Sequence, residues 1–428
     1  MREMKDSGIE WIGEIPVDWS MKRVKHIFTR KNEKAMQENP TILSLARDGV
    51  KVRDISNNEG QIAESYYNYN PVEEGDLLLN PMDLYSGANC SISKVQGVIS
   101  PAYINLKANA GVNPAFYDYY FKVQYWLMAF FSYGKGVSYD NRWTLSAETL
   151  MNYPVVALPY GEQCKRADYL DRKCSQIDAI IARQQEVIEK LKAYKLSIIT
   201  EAVTKGLNSN VPMKDSGIDF IGSIPGTWRI CRLRNIRTLQ NGISKGGEFF
   251  GHGFPFVSYG DVYRNFSLPV QVAGLIDSSD EERRNYSVES GDIFFTRTSE
   301  TIEEVGFSSV CEETIPDATF AGFLIRVRPF TDDLVPKFAK YYFRSNHHRY
   351  YLVKQMNLVT RASLGQDLLK SMPVLVPPKD EQISIAAYLD KKCGAIESSI
   401  EYKQRVIERL TSYKKSLIYE VVTGKKEV

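Results

Sequence analysis

The chain repeats itself, and this limits what it can fold into more than any other feature. Residues 4–19 read MKDSGIEWIGEIPVDW and residues 213–228 read MKDSGIDFIGSIPGTW, with 11 of 16 positions identical at an offset of 209. Residues 162–204 and 381–423 form a second pair, with 22 of 43 positions identical at an offset of 219. The ten-residue change in offset makes the second copy's intervening segment longer overall. Between the matched ends the likeness is only in outline. EGDLLLNP (74–81) parallels SGDIFFTR (290–297), NPAFYDYYFKVQYW (113–126) parallels VPKFAKYYFRSNHH (335–348), and YPVVALP (153–159) parallels MPVLVPP (372–378). Drift after duplication would also leave unlike middles. Divergence confined to the middles favours one frame carrying two specificities.

Residues 162–203 hold neither Pro nor Gly. Ile177, Ile181, Ile188, Leu191 and Ile198, with Gln184 and Lys195 in the remaining places, recur at alternating steps of four and three. That spacing predicts a heptad seam. The second copy repeats it at Ile396, Ile400, Ile407, Leu410 and Leu417, with Lys403 and Lys414 at the polar places. Each helix is expected to run about 40 residues, or roughly 60 Å. A helix of this length needs a partner for its stripe, and the other copy is the obvious one. Lys205-Gly206 and Gly424-Lys425-Lys426 supply the terminal Gly and cations of helix ends.

Short apolar runs bounded by Gly, Pro and Asn (GDLLL, YINLK at 103–107, GDIFF, GFLIRVR at 322–328) read as strands. Residues 114–131 and 336–352 read as aromatic-rich helices opening at Pro, their rings expected in the core. Trp19 and Trp228 are expected there too, with anchors for a partner as the alternative. The fold class is α+β: domains at 1–159 and 213–378, a central helix and linker at 160–212, and a C-terminal helix at 379–428.

Composition excludes several classes. Hydrophobic residues make up 43% and charged residues 25%, as in globular proteins. No apolar run nears the ~20 residues of a membrane span, and the N-terminal stretch has no apolar signal-peptide core. Six cysteines without a CxxC pair, and only four His, suggest a reducing compartment and no zinc site. There is no P-loop and no GxGxxG motif. Asn80-Pro81-Met82-Asp83 lacks the second Pro and the aromatic of an amino-methyltransferase tetrad. Glu401-Tyr402-Lys403 has a nuclease-like spacing but lies on the heptad helix without a companion Asp. His347-His348 has no nearby nucleophile, so no triad can be assembled. The chain reads as non-catalytic.

The IGEIPVDW and IGSIPGTW entries, the EQ…YLD…K-C…I helix openings and the doubled order resemble the specificity subunits of type I restriction-modification systems. The resemblance spans essentially the whole chain and is carried by the helices and entries. It implies two tandem, pseudo-twofold-related target recognition domains joined by long helices packed as an antiparallel coiled coil. It implies double-stranded DNA as ligand, read as a bipartite asymmetric target with one domain per half-site. It also implies two methyltransferase subunits that methylate adenine N6, and two restriction or motor subunits. S-adenosylmethionine, ATP and Mg2+ would be bound by those partners, in the cytoplasm of a bacterium or archaeon. The helices and entry motifs would meet the methyltransferase subunits.

Base reading needs Arg, Lys, Asn or Gln, and phosphate binding draws on Lys, Arg, Ser, Thr and backbone N–H groups. Polar, Gly-containing loops of the divergent blocks offer Lys135, Ser138, Tyr139, Asn141 and Arg142 in the first copy. The second copy offers Ser244, Lys245, Tyr259, Arg264, Thr296, Arg297, Thr298, Thr360 and Arg361. The loop before the last strand holds the same place in both copies, which favours Arg142 and Arg361. Net charge is +2, and no segment exceeds two charges in either sign. Bulk charge therefore excludes a polybasic clamp, and any DNA grip must come from charges sorted in space. A self-sufficient methyltransferase or nuclease, and a coiled-coil scaffold that binds no DNA, are the competing readings.

Overall fold

The computed structural model describes all residues except 1, 47, 55–62, 64, 83, 86–88, 137–142, 300–304 and 356–361. Contacts divide the chain into two units. One comprises 1–184 and 405–428, the other 185–404.

In the first unit, β1 (Ser20–Arg23), β2 (Phe28–Lys31), β3 (Leu77–Leu79), β4 (Cys90–Ile92) and β5 (Ile104–Ala108) precede helix α1 (Pro114–Trp126). Strand β6 (Pro154–Ala157) follows, and then α2 (Tyr160–Lys205), of 46 residues. The central sheet is antiparallel in the order β2-β5-β3-β4, while β6 pairs with β1. α1 starts at Pro114 with the Asn113 side chain accepting from the Ala115 N–H, an N-cap over a proline start. It stops at Trp126, short of the expected residue 131. Phe116, Tyr117, Tyr120 and Phe121 are buried, in edge-on and tilted ring contacts.

The second unit repeats the plan with β7 (Arg229–Arg232), β8 (Arg237–Asn241), β9 (Phe250–Val257), β10 (Ile293–Thr296), β11 (Thr298–Ser299), β12 (Ser308–Val310) and β13 (Leu324–Pro329). Helices α3 (Pro336–Tyr342) and α4 (Asn346–Gln355) come next, then β14 (Ala362–Ser363), β15 (Pro373–Val376) and α5 (Lys379–Val422), of 44 residues. Its sheet order, β8-β13-β10-β12, is that of the first unit, and β15 pairs with β7 as β6 pairs with β1. The single helix expected over 336–352 is broken between α3 and α4. There Arg344 turns inward, and its guanidinium donates to the carbonyls of Ser308, Val262, Tyr263 and Asn265. The added length of this copy includes β9, a bulged strand paired with Leu275–Ile276 and Thr319–Phe320.

The repeated motifs are frame residues. In the entry hairpins Met4–Asp6 pairs with Glu14–Pro16, and Met213–Asp215 with Ser223–Pro225. The Asp6 and Asp215 carboxylates accept from the N–H groups of Gly8 and Gly217, at 2.9 and 3.0 Å. Those glycines have φ of +73° and +67°, which a side chain would strain. Trp19 and Trp228 are fully buried, and their indole N–H groups donate to Glu162 and Glu381, at 3.1 and 2.9 Å. Gln163 and Gln382 are buried; Gln163 ties the loop before α1, and Gln382 the loop before α3, to the start of its long helix. The Gln163 amide accepts from Asn113 N–H and donates to Leu158 C=O; that of Gln382 accepts from Val335 N–H and donates to Pro377 C=O. Tyr119 and Tyr341 donate to Asp171 and Asp390, both at 2.7 Å. The repeated EQ and YLD runs are thus accounted for by packing.

Both long helices exceed the expected 40 residues. Every predicted seam position, from Ile177 to Ile198 and from Ile396 to Leu417, is buried or half-buried. Within the first unit Arg166 reaches the carbonyls of Val421 and Lys426, while Asp178 pairs with Lys414 at 2.6 Å. Within the second unit Lys195 pairs with Glu397, and Gly206 lies beside Glu381. In each unit the partner number falls as the α2 number rises, so the helices run antiparallel. Lys195 and Lys414 occupy seam positions with their ammonium groups on carboxylates of the facing helix, which keeps a charge at a half-buried place tolerable.

Candidate nucleic-acid interface

The two sheets present the same strand ends in the same register. Leu79 pairs with Ile104 as Phe295 pairs with Ile325. Asn80-Pro81-Met82 therefore stands where Thr296-Arg297-Thr298 stands, and Ala102-Tyr103 where Phe323-Leu324 stands.

In the second unit backbone hydrogen bonds gather four distant segments at this edge. Gly322 N–H donates to Ile243 C=O at 2.7 Å, Arg297 N–H to Phe323 C=O at 2.9 Å, and Leu364 N–H to Arg297 C=O at 2.7 Å. Thr298 pairs with Ser363 across β11 and β14. The approach is close enough that a Cβ on Gly322 would collide with the Ser244 hydroxyl, and one on Gly242 with the carbonyls of Phe320 and Ala321. Only glycine fits at 242, where the clash is with backbone; at 322 a side chain would force the Ser244 hydroxyl to turn away. The edge thus collects Ser244, Arg297 and Thr298 from the sequence candidates around Phe323. Phe323 is 65% exposed and was not among those candidates. Its signal in the sequence was weak: an aromatic after Gly322 at the start of a strand reads as core.

The other candidates are placed as follows. Ser244 is exposed. Lys245 is half-buried, donating to Asp277 C=O and Glu282 at 2.7 Å each, and its ammonium, through that hydrogen bond, holds the Glu282 carboxyl below its ordinary value. Lys245 is in this way tied to the frame. Tyr259 stacks on Tyr263 at 6.1 Å, and Arg264 is exposed at the end of the same short helix, Tyr259–Arg264. Thr296 departs from the expectation of a groove-facing residue. It is fully buried, and its hydroxyl accepts from Phe307 N–H at 2.9 Å, because strand β10 is covered on both faces. Thr360 and Arg361 lie outside the described residues.

In the first unit Lys135 is exposed and pairs with Thr144, through hydrogen bonds of 2.8 and 3.0 Å, to close the stem of a loop. Ser138, Tyr139, Asn141 and Arg142 are in that loop and lie outside the described residues. The stem is held by Leu145 N–H donating to Pro81 C=O at 2.9 Å, the counterpart of the Leu364–Arg297 bond. The loop before the last strand is therefore anchored at the same strand end in both units. The surfaces differ. Where the second unit raises Phe323, the first has Ala102 on the rim of an open groove of about 510 Å³, lined also by Ser44, Arg53, Met82 and Tyr103.

Some of the basic residues are taken up inside the frame. Arg328 pairs with buried Asp292 at 2.6 Å, and Lys31 with buried Asp76 at 2.8 Å. Arg326 donates to Ser287 C=O at 2.5 Å, and burial lowers its pKa. Among the described residues no group of three His, Cys, Asp or Glu is gathered as for a metal ion, and no helix is long and apolar enough to cross a membrane.

Two copies of one α+β frame, each presenting a different surface at the same strand ends, define a tandem-repeat α+β protein. Comparison with known proteins shows what it is similar to. Residues 225–408 match the type I restriction modification DNA specificity domain. The specificity subunit of the type I restriction enzyme EcoKI from Escherichia coli K12 is 24% identical over 282 residues, covering 64% of this chain and 58% of that subunit. The chain thus aligns to less than two-thirds of that relative's length. The MjaVIII specificity subunit of Methanocaldococcus jannaschii is 22% identical over 430 residues, covering 96% and 93%. Among solved structures, a chain from work on complex assembly and conformational transition of the type I R-M system aligns with a TM-score of 0.72 at 16% identity, covering 96% of this chain and 99% of that one. The HsdS subunit of Thermoanaerobacter tengcongensis aligns with a TM-score of 0.51 at 14% identity, covering 96% and 98%. These structures show a shared fold. Residues 225–408 match the specificity-domain model, and the chain as a whole is similar to the specificity subunits of type I restriction-modification systems.

Proposed function

We propose that the chain is a non-catalytic reader of a bipartite, asymmetric sequence in double-stranded DNA, one half-site per domain. The domains are residues 1–159 and 213–378. The reading is carried by one observation: the two units share sheet order, register and loop anchor, yet differ where Phe323 and Arg297 replace Ala102 and Pro81. An identical frame with unlike tips suits two unlike half-sites. The helices at 160–212 and 379–428 space the readers and, with the entry hairpins, offer similar surfaces to two copies of a methyltransferase subunit. Two restriction or motor subunits complete the complex. S-adenosylmethionine, ATP and Mg2+ belong to those partners, which together perform adenine-N6 methylation and ATP-dependent cleavage in the cytoplasm.

Lys135, Ser138, Tyr139, Asn141 and Arg142 would contact one half-site. Ser244, Arg264, Arg297, Thr298, Thr360 and Arg361 would contact the other, with Lys245 and Tyr259 supporting them. The test is a gel shift with the methyltransferase partner over a range of salt. A sequence-specific shift whose affinity falls steeply with salt is expected. Equal binding to cognate and scrambled duplexes would refute the reading.

A further inference from the structure

We infer that Phe323 is the residue with which the second recognition domain reads a thymine methyl group in the major groove of its half-site. The inference rests on the DNA-reading function proposed above. Phe323 is among the most exposed large apolar side chains of the chain, at 65%, on a backbone that allows it little movement. Gly322 hydrogen-bonds Ile243 at 2.7 Å, and the Phe323 carbonyl accepts from Arg297 at 2.9 Å. A Cβ at Gly322 would press on the Ser244 hydroxyl and the Ile243 carbonyl, so the turn lies close against the 243–244 segment. Tyr402 and Tyr85 are nearly as exposed, so exposure alone is no signal; what sets Phe323 apart is its place at the edge where the segments of Ser244, Arg297 and Thr298 meet, where a docking partner would bury the ring.

The chemistry of that partner follows from the ring's neighbours. Ser244, Arg297 and Thr298 lie at the same edge, and their side chains are of the types that read base edges and phosphates. The distinctive apolar feature of a major-groove base edge is the thymine C5-methyl. A target methylated at adenine carries a thymine on its complementary strand, so such a methyl is present. The first unit has Ala102 at the same register position, beside an open groove. The contact therefore belongs to one half-site.

The experiment uses the full chain assembled with its methyltransferase subunits. The half-site read by 213–378 is identified first, by exchanging that domain and profiling methylation. Binding is then measured on duplexes in which deoxyuridine replaces each thymine of that half-site in turn, for the wild type, Phe323→Ala and Phe323→Leu. At one position, loss of the methyl should weaken wild-type binding roughly four-fold, as for one buried methyl group. Phe323→Ala should weaken binding to the thymine duplex at least as much and gain no further sensitivity to uridine there, while Phe323→Leu retains part of the effect. The exposed position makes all three proteins fold alike, which thermal unfolding checks. Insensitivity of the wild type to every uridine, or equal sensitivity in wild type and Phe323→Ala, would overturn the inference. Failure of the wild type to discriminate cognate from scrambled duplex refutes the DNA-reading function itself.

Discussion

At the scale of single residues, the two tryptophans, the paired Glu-Gln runs and the inward-turned arginines hold the structure, while most charged groups stay at the surface. Arg344 shows the cost. Burial pulls its pKa down to about 10, and it is held by four backbone carbonyls. Replacing it with Met removes the charge but strands those acceptors. Arg344→Met is expected to lose about 3 kcal/mol in urea unfolding, read on the transition of the second unit. His348 is a second case. Its ring is buried against Tyr342 at 4.3 Å, with Ser345 Oγ 3.0 Å from Nδ1, and burial, with His347 beside it, lowers its pKa to about 3. A depressed folded value means the neutral ring stabilises the fold above the unfolded pKa of about 6.5. That contribution is lost as pH falls toward 3. Unfolding free energies measured between pH 7.5 and pH 4 should fall more steeply for the wild type than for His348→Gln. Both residues carry chemistry-bearing side chains, yet their roles are legible only from burial.

At the scale of elements, the heptad pattern was readable because it follows from spacing alone. A side chain that recurs every three and four residues lies on one helix face whatever surrounds it. Leu417 is buried in the cluster that holds Ile177, Leu170, Val421 and Val422. Leu417→Ala should cost 2–5 kcal/mol, whereas Lys414→Ala, which removes a surface-lying pair with Asp178, should cost less than about 1 kcal/mol. Thermal unfolding of the two variants separates them. The shorter elements were harder to read. The run 336–352 has helical composition throughout, and only the turn of Arg344 into its carbonyl cage divides it into α3 and α4. Strand β9 and its bulge were not foreseen. Their residues, FGHGFPFV, carry two glycines and a proline and read as loop.

At the scale of the whole molecule, the duplicated plan makes modular predictions. Exchanging residues 213–375 for the equivalent block of a relative should change one half of the methylated motif and leave the other. Methylation profiling checks this, and change in both halves would refute modular readers. Inserting one heptad in each of α2 and α5 keeps both seams in phase. The gap between half-sites should then lengthen while both half-sites persist, and an unchanged gap would refute the spacer role. The near-zero net charge reflects 54 basic residues against 52 acidic ones. Some basic residues, such as Arg328, Lys31 and Arg326, are also neutralised or hydrogen-bonded within each frame.

The sequence alone determined the duplication, the two long helices, their seams and the α+β class, because each rests on identity or periodicity within a short stretch of chain. The tertiary structure alone decided which polar residues face outward. Thr296 and Arg297 are neighbours in sequence, but strand pairing buries the first and brings the second to the edge. Phe323 joins Ser244 there across 78 intervening residues, through one glycine and one hydrogen bond. Sites assembled from distant segments leave no local pattern, since their members are set by sheet register and contact distance.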